Sequence, residues 1–260
     1  MKEIVKVQSI EQAYELNQKR NNRVLGGMLW MKMQQNNIGT GIDLSDLGLD
    51  GIEETKEEFR IGCMCSLRTL ETHKGLLEYF PNLMKECVRH IVGVQFRNSA
   101  TVGGSIYGRY GFSDILTCFL ALDCYVELYK KGMVSLKDFI HMPYDNDILV
   151  RIIIKKDQRE AHYETLRACA TDFPILACAV AKKENTWFIS VGARPARAGV
   201  ETITVEDMTP EKVEEVAEEI ASRFTFGTNI RGSKEYRFAM AKVLIRRGIR
   251  AVLGGRQNAN

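Results

Sequence analysis

Proline is scarce, with five in 260 residues, and histidine scarcer, with four. His73, His90, His141 and His162 stand far apart and form no H-E-x-x-H or similar set, so a histidine-held metal has no support. No apolar run reaches the roughly 18 residues that a bilayer span needs, and Met1-Lys-Glu-Ile-Val-Lys lacks the apolar stretch of a signal peptide. A cytoplasmic protein without membrane contact is expected. The formal charge of +3 is too small for the basic footprint of a nucleic-acid binder. Seven cysteines, an odd number scattered in apolar surroundings, argue against a disulfide framework. The pair Cys63 and Cys65 fits neither a redox C-x-x-C nor a four-ligand cluster. On a strand the two would share a face and offer at most two ligands, so packing is the preferred reading.

The common chemical signatures are missing too. There is no G-x-G-x-x-G between a strand and a helix, no G-x-x-x-x-G-K-[ST] and no G-x-S-x-G elbow. Side-chain catalysis therefore has no support, and any redox chemistry would belong to a bound cofactor.

What is present is a mixed pattern of helices and strands without a regular βαβ repeat. Ser9 and Gln12 form a capping box before a helix over about 10–19. Val24-Leu25 reads as a short strand and Met28 to Met33 as a second helix, which puts Gly26-Gly27 in a strand-to-helix turn. Strands are expected at Ile42, over 58–64, 125–130, 148–154 and 163–170, and helices near 66–79 and 81–90. Ser113 can cap a helix through Ala121. The polar stretch 155–160 breaks the apolar pattern and divides the chain into units 1–157 and 158–260. The second unit reads as strands over about 162–192 and then two helices, started by Thr209-Pro210-Glu211 and by Ser233. The basic residues Lys242, Arg246, Arg247 and Arg250 toward the chain's end suit a solvated helix face.

Two glycine pairs stand out, Leu25-Gly26-Gly27 and Thr101-Val102-Gly103-Gly104-Ser105. Backbone N–H groups in a glycine turn can approach a diphosphate closely because no side chain intervenes. A single pair more often marks an ordinary tight turn. Two pairs, each at an element boundary, favour an anion clamp modestly.

Gln95-Phe-Arg-Asn-Ser-Ala-Thr-Val-Gly-Gly-Ser105 with Ser113-Asp114, Val24-Leu-Gly-Gly27, Ile42-Asp43-Leu44, Asp172-Phe173-Pro174, Val191-Gly192-Ala193 and Arg231-Gly-Ser-x-x-Tyr236-Arg237 occur in one order. In this the chain resembles the FAD-binding subunits of xanthine dehydrogenase and carbon monoxide dehydrogenase, the molybdenum hydroxylases. The resemblance implies an α+β fold, a two-lobed FAD-binding domain of the PCMH type followed by a domain like the C-terminal one of carbon monoxide dehydrogenase flavoproteins.

Carried over by position, Val24, Leu25, Gly26, Gly27, Met28 and Leu29 would form one diphosphate loop, and Ala100, Thr101, Val102, Gly103, Gly104 and Ser105 the other. Tyr107 and Ser113 would join the cofactor site. Asp114 would accept ribitol or ribose hydroxyls, its other reading being an acid at a helix start. Ile91, Val92 and Phe96 would line the adenine side, Leu149 would touch the cofactor and Phe173 would lie near the isoalloxazine; for these the other reading is core packing. The Arg231 to Arg237 motif reads as structural.

The chain also departs from the resemblance. Met28 and Leu29 replace Thr and a polar residue, so only backbone donors remain in the first loop. Arg109-Tyr-Gly-Phe112 replaces small residues and Pro, and Glu164 stands where some relatives carry Lys. The function implied is an FAD-binding electron-transfer subunit, working with an iron–sulfur subunit and a molybdopterin-binding subunit and passing electrons to NAD or another acceptor. Two alternatives stand beside it: an assembly subunit that keeps the fold without flavin, and a stand-alone flavoprotein, for which no substrate base is evident.

Overall fold

The computed structural model describes residues 1–34, 37–81 and 83–255. A small parallel sheet opens the chain, with β1 (Glu3–Lys6), β2 (Arg23–Leu25) and β3 (Thr40–Asp43) in the order β1-β3-β2. Its crossover helix α1 (Ile10–Asn17) starts where Ser9 Oγ accepts the Gln12 N–H at 3.1 Å. Gln12 Oε1 in turn accepts the Gln8 N–H at 2.8 Å, so both side chains of the box are engaged. Ile42 on the central strand is fully buried.

The second lobe is an antiparallel sheet in the order β4-β5-β8-β6-β7: β4 (Ile52–Glu54), β5 (Glu58–Gly62), β6 (Cys124–Leu128), β7 (Gly132–Ser135) and β8 (Leu149–Lys155). β8 carries Ile152, Ile153 and Ile154 in a row because it is a central strand buried on both faces. Seven short helices complete this lobe: α2 (Leu67–Thr72), α3 (Lys74–Tyr79), α4 (Leu83–Arg89), α5 (Val94–Ser99), α6 (Val102–Tyr107), α7 (Asp114–Leu120) and α8 (Leu136–Phe139).

The last unit is an antiparallel meander, β9 (Glu160–Leu166), β10 (Leu176–Lys183), β11 (Thr186–Gly192) and β12 (Gly199–Thr204), under α9 (Pro210–Ser222) and α10 (Lys234–Gly255). Alternation along β10 decides which way each face looks. Leu176, Cys178 and Val180 join Trp187, Ile189, Ile245 and Ile249 in a core beneath the two helices. Ala177, Ala179 and Ala181 face the rest of the molecule and belong to its main core. A face of small residues lets α7 lie close, and a Cβ added to Gly192 would come 2.0 Å from Thr117 Oγ1.

Most expected elements form at the expected places, with Thr209 and Ser233 capping as read. The helix expected over Met28 to Met33 does not form. Met28 has φ +58°, incompatible with a right-handed helix, and only a 3-10 turn remains at Met31–Met33. The segment 66–79 divides into two helices at His73, whose Nδ1 accepts the Leu76 N–H at 3.3 Å. The strand expected to reach Ala170 ends at Leu166. Strands β1, β4, β7 and β12 and helices α5, α6 and α8 were not expected. The basic residues of α10 are solvated ion-pair partners: Arg246 and Arg250 meet Glu214, Lys242 meets Glu218 and Arg247 meets Glu164. Cys63 and Cys65 are buried, burial pushing both thiols up to about 12. No metal-holding cluster of His, Cys, Asp or Glu occurs among the described residues, and no helix there is long and apolar enough to cross a membrane.

Candidate functional site

The two glycine pairs meet. A Cβ on Gly27 would stand 1.9 Å from the Ser99 carbonyl oxygen, and one on Gly26 would stand 3.0 Å from Thr101 Oγ1. Gly27 is therefore glycine because backbone passes against it, whereas Gly26 and Gly104 face only the Thr101 hydroxyl, and none of the four has a positive φ. Gly103 is likewise closed in by Cys63, its carbonyl oxygen 2.4 Å from the would-be Cβ.

Their donors differ. The second pair lies in the first turn of α6, where Thr101 Oγ1 accepts the Gly104 N–H at 3.1 Å. The N–H groups of Val102, Gly103 and Ser105 donate to the carbonyls of Cys65, Cys63 and Thr101. Among the described residues, the N–H groups of Gly26, Gly27, Met28 and Leu29 meet no acceptor. The open donors thus lie in the first loop, which has no capping side chain and no regular element to use them.

A cleft of about 390 Å³ lies on one side of this junction. It brings together Val24, Gly26, Gly27, Met28, Leu29, Ile91, Val92, Phe96, Ala100, Thr101, Gly104, Ser105, Tyr107, Ser113, Asp114 and Phe173. On the other side is a cavity of about 660 Å³, where Leu25, Gly103 and Leu149 are found with Arg20, Arg23 and Tyr144. Val24, Gly26, Met31, Thr101, Gly104, Tyr107 and Tyr110 line both. Val102 lines neither and is fully buried in the core. Residues expected at opposite ends of the cofactor, Ile91 and Val92 against Phe173, share the first cleft, whereas Leu149 lies across the glycine junction.

Asp114 sits at the floor of the first cleft, at the start of α7 below its cap Ser113, whose Oγ accepts the Leu116 N–H at 3.2 Å. Its Oδ1 accepts from Tyr163 at 2.5 Å and from the Arg167 guanidinium. Burial pushes the Asp114 carboxyl above the usual aspartate range, opposed by the Arg167 charge and the Tyr163 hydrogen bond. Asp114 is thus held on Oδ1 by Tyr163 of β9 and by Arg167 just after it.

The wall carrying Ile91 and Val92 is a turn in which Val92 has φ +50°. Arg97 fixes it, donating to the carbonyls of Arg89 and Ile91 at 3.1 and 3.3 Å and to Glu71 through two nitrogens at 3.0 and 3.2 Å. Both members of that ion pair are buried. Burial works against the Glu71 charge, but the hydrogen bonds from Arg68 and Arg97 hold its carboxyl below the usual glutamate range.

At the mouth of the cleft four aromatic rings from three segments converge. Trp30 stacks on Phe173 with centroids 5.5 Å apart and lies 5.6 Å from Phe112. Phe112 meets Phe173 edge-on at 4.6 Å and stacks on Tyr110 at 5.2 Å, while the Arg231 guanidinium lies 5.1 Å from the Phe173 ring centre. The chain carrying Phe173 is anchored through the fully buried Arg237, which donates to the carbonyls of Ile175, Gly227 and Gly232 and to Asn229 Oδ1. That is the structural role expected for the Arg231 to Arg237 motif. Trp30, Tyr110, His90 and Arg167 also line the cleft and were not among the expected site residues. No local pattern marks them, since only the fold brings residues 30, 90, 110 and 167 together.

Comparison with known proteins agrees with this architecture. The chain is 26% identical over 245 residues to the uncharacterized protein YgfM of Escherichia coli K12, covering 91% of each. It is 25% identical over 227 residues to the nicotine 6-hydroxylase medium subunit of Paenarthrobacter nicotinovorans, covering 80% of each. Among solved structures, a chain of carbon monoxide dehydrogenase from Hydrogenophaga pseudoflava superposes with a TM-score of 0.84 at 21% identity, covering 97% of both chains. A chain of quinoline 2-oxidoreductase from Pseudomonas putida 86 gives 0.82 at 16%, covering 98% of this chain and 97% of that one. At these identities the superpositions speak for the fold alone, an α+β architecture. Residues 1–156 match the family described as FAD binding domain in molybdopterin dehydrogenase, and the chain belongs to that family, with FAD as its cofactor.

Proposed function

We propose that this chain is the electron-relaying subunit of a molybdenum hydroxylase, holding FAD across the glycine junction and passing electrons between an iron–sulfur subunit and a soluble acceptor such as NAD. The observation that carries the reading is the junction itself. Two cavities adjoin a constriction where a Cβ on Gly27 or Gly103 would collide with backbone and where the first loop's N–H groups are open. A dinucleotide suits that shape, its diphosphate at the constriction and one end in each cavity. The aromatic mouth of the first cleft suits the flavin ring, and Asp114 Oδ2 suits a ribityl hydroxyl. Leu25 and Leu149 in the other cavity suit the adenosine. Bound FAD supplies the redox chemistry, accepting and releasing one or two electrons; the chain's own residues bind it, orient it and limit water at its ring.

Residues 1–157 are taken as the unit that binds FAD, and residues 158–260 as the unit that completes the cleft with Arg167 and Phe173. The iron–sulfur and molybdopterin centres are assigned to partner chains. Neither a cluster-ligating set nor a metal-holding cluster occurs among the described residues, and the related nicotine 6-hydroxylase chain is itself named as a medium subunit. The open N–H groups of the first loop weigh against an assembly role without flavin, since they leave an anion-binding backbone in place although Met28 and Leu29 bring no polar side chain.

The test is reconstitution of the purified chain with FAD, followed by co-expression with its neighbouring genes. A flavin absorption band and co-purification with iron–sulfur and molybdenum subunits are expected. A chain that takes up no flavin would falsify the relay.

A further inference from the structure

Trp30 is a large aromatic residue left 38% exposed at the mouth of the first cleft. A ring laid over Trp30 would remove that apolar surface from water. Trp30 has ring contacts with Phe112, tilted against it, and Phe173, stacked on it. It directly follows the loop whose N–H groups are open and whose residues 28 and 29 are apolar.

Two walls that admit a planar ring between them stand about 7 Å apart, twice an aromatic contact of about 3.5 Å. The Trp30 and Phe173 centroids are 5.5 Å apart with 30° between the planes, so the pair is closed on itself. Trp30 caps the 3-10 turn Met31–Met33, and Phe173 belongs to a segment tied down through Arg237 and Ile175. Of the two, Trp30 rests on the shorter support, that single turn, and is the one taken to move.

We propose that Trp30 is a positioning residue for the flavin, exchanging its stack on Phe173 for the face of the isoalloxazine and supplying affinity that the first loop's apolar side chains do not. This rests on the assignment of the first cleft to the flavin ring. It predicts a division by ligand: whatever carries the ring feels Trp30, and whatever carries only the adenosine diphosphate end does not.

The experiment titrates the full chain and its Trp30→Ala and Trp30→Phe variants with FAD, FMN and ADP, and records the fluorescence of bound FAD. Trp30→Ala is expected to weaken FAD and FMN by about tenfold, the scale of one aromatic stack, while ADP affinity stays unchanged. Bound FAD in that variant becomes brighter, because a stacked indole quenches flavin emission. Trp30→Phe restores affinity to within about twofold. Equal loss of FAD and ADP makes Trp30 merely structural and overturns the proposal, as does an Ala variant with unaltered FAD affinity and emission. A wild-type chain that binds ADP but not FMN places the ring elsewhere, and one that binds none of the three overturns the flavin site and Trp30's role together.

Discussion

Tyr163 on β9 donates its phenolic hydrogen to Asp114 Oδ1 at 2.5 Å, so the C-terminal sheet is bonded to the helix start that floors the cleft. Arg167 binds the same oxygen, and both its side chain and that of Asp114 are buried. The three side chains join the two units by charge and hydrogen bond where the alanine face of β10 joins them by packing.

Removing the carboxylate leaves a buried guanidinium without its charge partner, and breaking a buried pair in this way costs about 3 kcal/mol. Asp114→Asn is expected to show that loss in urea unfolding. Tyr163→Phe, which removes one hydrogen bond, is expected to cost about 1 kcal/mol. Equal effects would mean that the Arg167 contact is not formed in solution.

Gly27→Ala places a methyl group 1.9 Å from a carbonyl oxygen, and backbone must move to admit it. FAD affinity is expected to fall at least tenfold in equilibrium dialysis. At Gly104 the nearest atom to the added Cβ is the Thr101 hydroxyl at 3.1 Å, a side chain that can give way. Gly104→Ala is expected to bind FAD several-fold more tightly than Gly27→Ala.

Glu71 carries a pH signature. Its carboxyl is held below the glutamate reference of 4.5 in the folded chain, so the unfolded chain binds the proton more readily. Its contribution to stability is complete above that reference and is lost as pH falls through the folded value. Wild type is expected to exceed Glu71→Gln in unfolding free energy by about 3 kcal/mol at pH 7, with the gap narrowing below about pH 4.5. A gap of constant size down to pH 3 would show that Glu71 is not ionised in the pair.

Cys169 is exposed and the other six cysteines are buried. Ellman's reagent is expected to titrate one thiol per native chain and all seven in guanidinium chloride. Rapid reaction of Cys63 or Cys65 in the native chain would contradict their burial beside the glycine junction.

The sequence is readable wherever a local rule decides the outcome. Ser9, Ser113, Thr209 and Ser233 each announce a helix, and each caps one. The apolar run of β8 announces a central strand. Met28 to Met33 misleads because its residues have good helix propensity, while the packing of Gly27 on Ser99 and the positive φ of Met28 are set by tertiary contact. For the site, the glycine pairs are visible as pairs, yet which of them keeps free donors depends on Cys63 and Cys65, some forty residues from the second pair. The convergence of Trp30, Phe112 and Phe173 is invisible for the same reason, since no spacing encodes it.

The contact between Gly27 and Ser99 also bears on how such a site can change over generations. Where backbone passes against backbone, as at Gly27, there is no side chain to adjust, because any Cβ there meets the Ser99 carbonyl. Change is then left to the flanking positions, where this chain carries the apolar Met28, Leu29 and Trp30. A lineage can then retune how tightly it grips its cofactor by exchanging hydrogen-bonding groups for ring surface, while the point it grips stays fixed.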